Sequence, residues 1–233
     1  PMFVPQIFPN NSYTAGSAII NYLIKLLGKD KPEIDYFLLT HFHSDHYGSI
    51  QEISGTSDNG YRLTGLTEVG DVIPIRSYVD RDYPNYNFPV DLLSNTKSTG
   101  VELPAFTNLL KFLNYQKVHN SMKVEKFEVG SDKQFVLKKE PKSYPNFQVR
   151  NIKSNNLLWA GEGKKTISLF TAEELLGKSG KYSENQMSTA VVIKYGNFKY
   201  YTGGDNSGLV DQDHEEWYDI ETPMAPIVGK VSA

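Results

Sequence analysis

Tyr36-Phe37-Leu38-Leu39-Thr40-His41-Phe42-His43-Ser44-Asp45-His46 is an apolar run that breaks into a hexapeptide holding three of the chain's five histidines and a carboxylate. Ile34 to Thr40 reads as a buried strand, so the hexapeptide sits where that strand leaves its sheet. Imidazole and carboxylate are the nitrogen and oxygen donors that a borderline ion such as zinc accepts, and a catalytic ion keeps one position open for water. If the chain stays extended, His41 and His43 share one face by the two-residue period, and Asp45 and His46 follow after a turn. Two ligand pairs aimed at one point imply a pair of metal ions. The competing reading is a polar loop whose histidines only cap and hydrogen-bond.

Working outward, the strand is preceded by a helix. Ser17 to Leu27 places Ile19, Ile20, Leu23, Ile24 and Leu27 on one stripe, with Ser12 or Thr14 as caps and Gly28 past the end. A short helix over Gly48 to Ile53 is expected to start on the motif. Ser54 to Pro104 is rich in Gly, Asp, Asn, Pro and Tyr, with one strand expected at Val72 to Val79 and an irregular stretch from Asp80 to Gly100. Tyr83, Tyr86 and Phe88 would there either wall a substrate site or pin the loop to the body. Pro104 to Lys117 reads as a core-facing helix through Phe106, Leu109, Leu110 and Leu113. Strands are expected at Met122 to Val129 and Gln134 to Leu137, joined as a hairpin, and at Phe147 to Ile152 and Thr166 to Phe170. Thr171-Ala172-Glu173-Glu174 is a capping box that opens a short helix ended by Gly177. Ala190 to Tyr195 and Phe198 to Thr202 form a hairpin on Gly196-Asn197, a Gly-first loop suited to a type II′ turn, which delivers Asp205 to a strand end. Asp205 is then a metal ligand or, more simply, a turn carboxylate after Gly203-Gly204.

His-x-His-x-Asp-His after an apolar strand resembles the signature of the metallo-β-lactamase superfamily. That resemblance implies an α/β (α+β) fold, a four-layer αββα sandwich with one or two metal ions at the sheet edge. A second segment supports it: Asn185-Gln186-Met187-Ser188 leads into the hairpin, which closes on Thr202-Gly203-Gly204-Asp205. This is similar to the Asn-x-x-Ser strand and Thr-Gly-Asp ending of the ComEC-like branch, named for a bacterial DNA-uptake competence protein. In the family pattern His41 and His43 hold one metal, Asp45 and His46 the other, and Asp205 bridges both. Two zinc ions are implied, with manganese as an alternative, and Asp45 is the expected catalytic residue. Asn185 and Ser188 would orient substrate or brace the ligand loops, with ordinary loop capping as the plainer reading. The implied activity is hydrolysis of a phosphodiester or related ester by a metal-bound hydroxide, since coordination brings a water pKa from 15.7 toward about 7.

The family normally adds a further histidine to each metal. His119 and His214 read as surface residues instead, and the tail Met224 to Ala233 resembles the lead-in to the strand that would carry the last of them. The fold is therefore expected to be incomplete at both ends, over a single domain spanning residues 1–233. The missing ligands motivate an alternative, a degenerate binding or scaffold domain without turnover.

With 233 residues and a net charge of −3, the chain has no global basic field to draw in nucleic acid. Lys138-Lys139, Lys142 and Lys164-Lys165 make at most local patches, so a small-molecule or phosphodiester substrate is the expected partner and a non-catalytic nucleic-acid module rests on analogy alone. The absence of cysteine excludes disulfides and thiolate ligands. No apolar run reaches bilayer length and no signal peptide is visible, so a soluble protein is expected, with no compartment assigned.

Overall fold

The computed structural model describes residue 10 and residues 13–28, 32–94, 100–177, 183–208 and 219–233. It is a mixed α/β structure with two sheets. The first has three strands in the order β1 (Ile34–Leu38), β2 (Ile75–Asp80), β3 (Lys123–Lys126). The second has five, in the order β6 (Thr166–Ser168), β5 (Leu157–Trp159), β4 (Phe147–Ser154), β7 (Ala190–Tyr195), β8 (Phe198–Thr202). The chain divides into two compact units, one of residues Pro1–Phe37, Phe42–Tyr78 and Val101–Val124, the other of Leu38–His41, Val79–Gly100 and Glu125–Ala233.

In the first unit, α1 (Ala15–Leu27) begins two residues before the apolar stripe suggests. Thr14 caps it: its hydroxyl accepts from the Ser17 N–H at 3.0 Å while Ser17 Oγ accepts from the Thr14 N–H at 2.8 Å. Gly16 lets α1 lie close to α2 (Gly65–Val72), since a Cβ there would meet Glu68 Oε2 at 2.4 Å. The helix expected over Gly48 to Ile53 does not form. Gly48 takes φ +111°, outside the helical region, and a Cβ on it would come within 2.3 Å of the Gly65 amide, so this segment turns to seat the start of α2 instead. The Val72 to Val79 strand is accordingly shifted, its first residue closing α2. The third helix, α3 (Leu103–His119), buries Phe106, Leu109 and Leu113 as its spacing predicts; Phe112 is buried as well, and Leu110 is only half-buried. Phe42 packs on Phe106 at 5.1 Å, and Tyr61 meets Phe112 edge-on at 5.2 Å.

In the second unit the core gathers Ile152, Leu158, Ala190 and Val192 from the five-stranded sheet against Phe170, Leu175, Met187, Ile220, Met224 and Val228. Leu175 comes from α4 (Ala172–Gly177), whose capping box is present: the Thr171 N–H donates to Glu174 Oε2 at 2.7 Å and the Glu174 N–H to Thr171 Oγ1 at 3.1 Å. Met224 and Val228 come from α5 (Glu221–Val228), which replaces the start of the extended tail read from the sequence. Beyond it the chain does run beside β8, with the Ser232 N–H donating to Lys199 O at 2.7 Å and the Tyr201 N–H to Ala233 O at 3.0 Å. The β7–β8 hairpin has the expected register, Tyr195 opposite Phe198, and Gly196 takes φ +57°. No strand forms over Gln134 to Leu137. The Gln134 side chain occupies that edge, accepting from the Glu128 N–H at 3.0 Å and donating to Lys126 O at 2.9 Å, so these two backbone groups are taken from the expected hairpin. Among the described residues no helix is long and apolar enough to cross a membrane.

Candidate metal centre

His41 and Asp205 meet within the second unit. Past β1 the chain stays extended, with the Leu39 N–H donating to Val79 O at 2.9 Å and Thr40 O accepting from the Thr189 N–H at 2.9 Å. His41 is thereby held fully buried, with Thr40 Oγ1 at 3.1 Å from its Nδ1. The other ring nitrogen, Nε2, points at Asp205 Oδ2 across 3.9 Å, and the Asp205 side chain is 41% exposed. One face of the pair is therefore protein and the other is open.

Asp205 reaches this place through the turn after β8. Gly204 adopts φ +56°, and a Cβ there would lie 2.8 Å from Thr40 Cβ and 3.0 Å from Ser188 Cβ, so only glycine admits both the turn and the contact. The Asp205 N–H donates to Ser188 Oγ at 3.2 Å. Ser188 is fully buried, and its hydroxyl braces the aspartate. Asn185 is half-buried in the 3₁₀ turn Glu184–Met187; its N–H donates to Ser183 Oγ at 3.3 Å, a capping contact, and its Oδ1 is buried without a hydrogen bond among the described residues.

The remainder of the hexapeptide belongs to the first unit. Ser44–His46 forms a 3₁₀ turn, with the His46 N–H donating to His43 O at 3.1 Å and the Gly48 N–H to Ser44 O at 2.6 Å. The turn presents Asp45 Oδ2 and His46 Nε2 3.7 Å apart, the carboxylate 77% exposed and the imidazole 27%. His43 is half-buried at the start of this turn.

These separations suit a metal. Donors that each stand about 2.0–2.2 Å from a tetrahedral zinc ion lie roughly 3.3–3.6 Å from one another. The 3.9 Å of His41 and Asp205 and the 3.7 Å of Asp45 and His46 are within a small side-chain rotation of that value. The donor set, imidazole and carboxylate without thiolate, is one that zinc and manganese both accept.

His119 stacks on Tyr115 at 4.5 Å on the exposed side of α3, as a surface histidine does. His214 lies outside the described residues. Tyr86 is buried and donates to Asp80 Oδ2 at 3.0 Å, while the Phe88 N–H donates to Asp82 Oδ2 at 2.9 Å. These contacts pin Tyr86 and the Phe88 backbone to the body of the second unit.

Sequence reasoning missed the buried polar residues of the second unit. Arg81 and Glu184, both fully buried, form a two-pronged ion pair at 2.6 and 2.7 Å. The remaining Arg81 nitrogen donates to Phe88 O and Asn155 Oδ1, each at 2.9 Å. Lys153, on β4, is also fully buried. The only local signal was a lysine placed directly after the strand expected at Phe147 to Ile152, which ordinarily marks a solvated strand end.

Residues 13–68 match the sequence model of the metallo-beta-lactamase superfamily. Over 58 residues the chain is 36% identical to a UPF0173 metal-dependent hydrolase of Staphylococcus carnosus (strain TM300), a match covering 25% of this chain and 24% of that protein. The segment matched by the superfamily model carries α1, β1, the whole hexapeptide and the start of α2, and the chain spans about a quarter of the length of the curated relative it matches.

Proposed function

We propose that this chain is a metal-dependent hydrolase of the four-layer αββα type, acting on a phosphodiester or related ester and nearest to the ComEC-like branch. The observation that carries the reading is the approach of His41 and Asp205 to 3.9 Å, with the buried imidazole aimed at a half-exposed carboxylate. The proposed ligands are His41, His43, Asp45, His46 and Asp205, for two zinc ions or for manganese.

When bound, the metal supplies Lewis-acid activation of water at neutral pH and stabilises the negative charge that develops on the substrate oxygen. The protein's part is to hold the donors still. Burial and Thr40 fix the His41 ring, and Gly204 and Ser188 fix the Asp205 backbone. Asp45, the most exposed of the paired donors at 77%, has the carboxylate best placed to accept a proton on the solvent side. The Asn-x-x-Ser segment and the Thr-Gly-Gly-Asp turn tilt the substrate toward a phosphodiester.

Zinc- or manganese-loaded protein is expected to cleave at least one of bis(p-nitrophenyl) phosphate, a lactone panel and a chromogenic β-lactam, with activity lost in Asp45→Ala. Inactivity on all three classes, with clearly less than two metal ions retained per chain, would favour the degenerate binding domain instead.

A further inference from the structure

We propose that Lys153 is a positioning residue for Asp205, setting the carboxylate for metal binding through Asn206 and Ser188; this rests on the reading of Asp205 as a ligand. A lysine with no solvent exposure carries a large desolvation cost, and it persists only where its ammonium is fully hydrogen-bonded. Lys153 Nζ donates to the Gln186 carbonyl, to Ser188 O at 3.2 Å and to Asn206 Oδ1 at 2.9 Å. An ammonium has three protons, and here three neutral oxygens receive them. Burial, and after it the nearby Arg81, hold the amine's pKa well below its ordinary value against the pull of Glu184; the three oxygen acceptors are nevertheless the set that the charged form requires.

Those acceptors belong to the two segments that hold Asp205. Ser188 bonds to the Asp205 N–H through its hydroxyl and to Lys153 through its carbonyl. Asn206 follows Asp205 directly and closes the turn, its amide donating to Gly203 O at 2.6 Å. Lys153 therefore ties together the residue that braces Asp205 and the residue that ends its turn.

The sheet is deformed in a way that serves this. β4 pairs Asn151 with Val191 and then Lys153 with Ala190, so Ile152 is an extra residue in the ladder. In a regular strand Lys153 would share the face of Asn151; the bulge turns it to the face of Ala190, among the core residues Ile152, Leu158 and Val192. A methionine of similar length would fill the same volume without burying a charge. What the amine adds is its hold on the two loops.

The test uses the full chain with zinc, and separately cobalt(II), as probes. Zinc affinity is measured by competition with a chromophoric chelator, the cobalt d–d spectrum reports ligand geometry, and thermal melts report folding independently. Folded Lys153→Met is expected to bind zinc roughly 10–100-fold more weakly, the usual effect of losing a group that orients a ligand, with a changed cobalt spectrum. Asn206→Ala, at a half-buried position, is expected to shift both in the same direction, and the double variant to lose no more than Lys153→Met alone. Wild-type affinity and an unchanged cobalt spectrum in the folded variants, while Asp205→Ala loses zinc, would overturn the inference and leave the ligand reading standing. If Lys153→Met does not fold, Asn206→Ala decides by the same criterion. Should the unaltered chain take up no zinc, or Asp205→Ala bind as well as it does, the ligand reading falls and this inference with it.

Discussion

His41 Nε2 and Asp205 Oδ2 face each other across 3.9 Å, one donor in the apolar strand exit and the other after a glycine turn far along the chain. Removing either should cost more than the roughly 10–100-fold that changes behind a ligand typically cost. Asp205→Ala is the cleaner variant, because its side chain is 41% exposed and leaves little cavity. Chelator competition should show that loss with an unchanged circular dichroism spectrum; unchanged zinc affinity in Asp205→Ala would remove this residue from the ligand set.

Gly204 and Gly196 make a matched pair. Both have positive φ, +56° and +57°, but a Cβ at Gly204 meets Thr40 and Ser188 within 3.0 Å while Gly196 has open space. Gly196→Ala should therefore cost only the backbone penalty, about 1 kcal/mol. Gly204→Ala should cost that and a displacement of the turn, in all about 1–3 kcal/mol, and should also weaken zinc binding. Urea midpoints and zinc titrations on the two variants give the comparison, and equal effects on zinc would mean that the Gly204 contact does not position Asp205.

What could be read in the sequence was local. The strand exit at His41, the stripe of α3 and the Gly196-Asn197 turn each announce themselves within a few residues, because apolar spacing and turn chemistry act over that range. The α2 helix was missed for another reason: it has only eight residues, two of them the poor helix formers Gly65 and Gly70, and it is held by a Thr64–Thr67 capping exchange and by the close approach of Gly48. The same applies at the site. His41 and Asp205 were legible as a pattern, but Arg81–Glu184 and Lys153–Asn206 join residues distant in sequence through buried charge, which no periodicity records. The failed strand at Gln134 shows that a single side-chain amide can outcompete a ladder that β-propensity favours.

Arg81 and Glu184 offer a test of that buried network. Truncating one partner strands a charge in the core, so Glu184→Ala should destabilise the protein by about 3–5 kcal/mol. The paired change Arg81→Met with Glu184→Leu removes both charges and should cost less than Glu184→Ala alone, though Asn155 and the Phe88 carbonyl lose a donor. Chemical denaturation of the single and double variants measures the difference. A double variant as unstable as the sum of its singles would show that the two side chains act separately.

Asp80 makes stability depend on pH in an unusual direction. Burial pushes its pKa up from 3.8 to about 6, against the opposing pull of the Asp82 and Tyr83 N–H groups and the Tyr86 hydroxyl. The folded chain then binds more protons than the unfolded one between those two values, so this group's contribution is complete below pH 3.8 and is lost as pH rises through about 6. The difference amounts to about 3 kcal/mol, at 1.36 kcal/mol per pH unit. Asp80→Asn keeps an acceptor for the two backbone N–H groups and offers an amide proton to the tyrosine oxygen. Its stability relative to wild type should therefore rise between pH 4 and pH 7, measured by urea denaturation in chelator so that metal binding does not contribute. A flat difference across that range would mean that Asp80 titrates at its ordinary value in the folded chain.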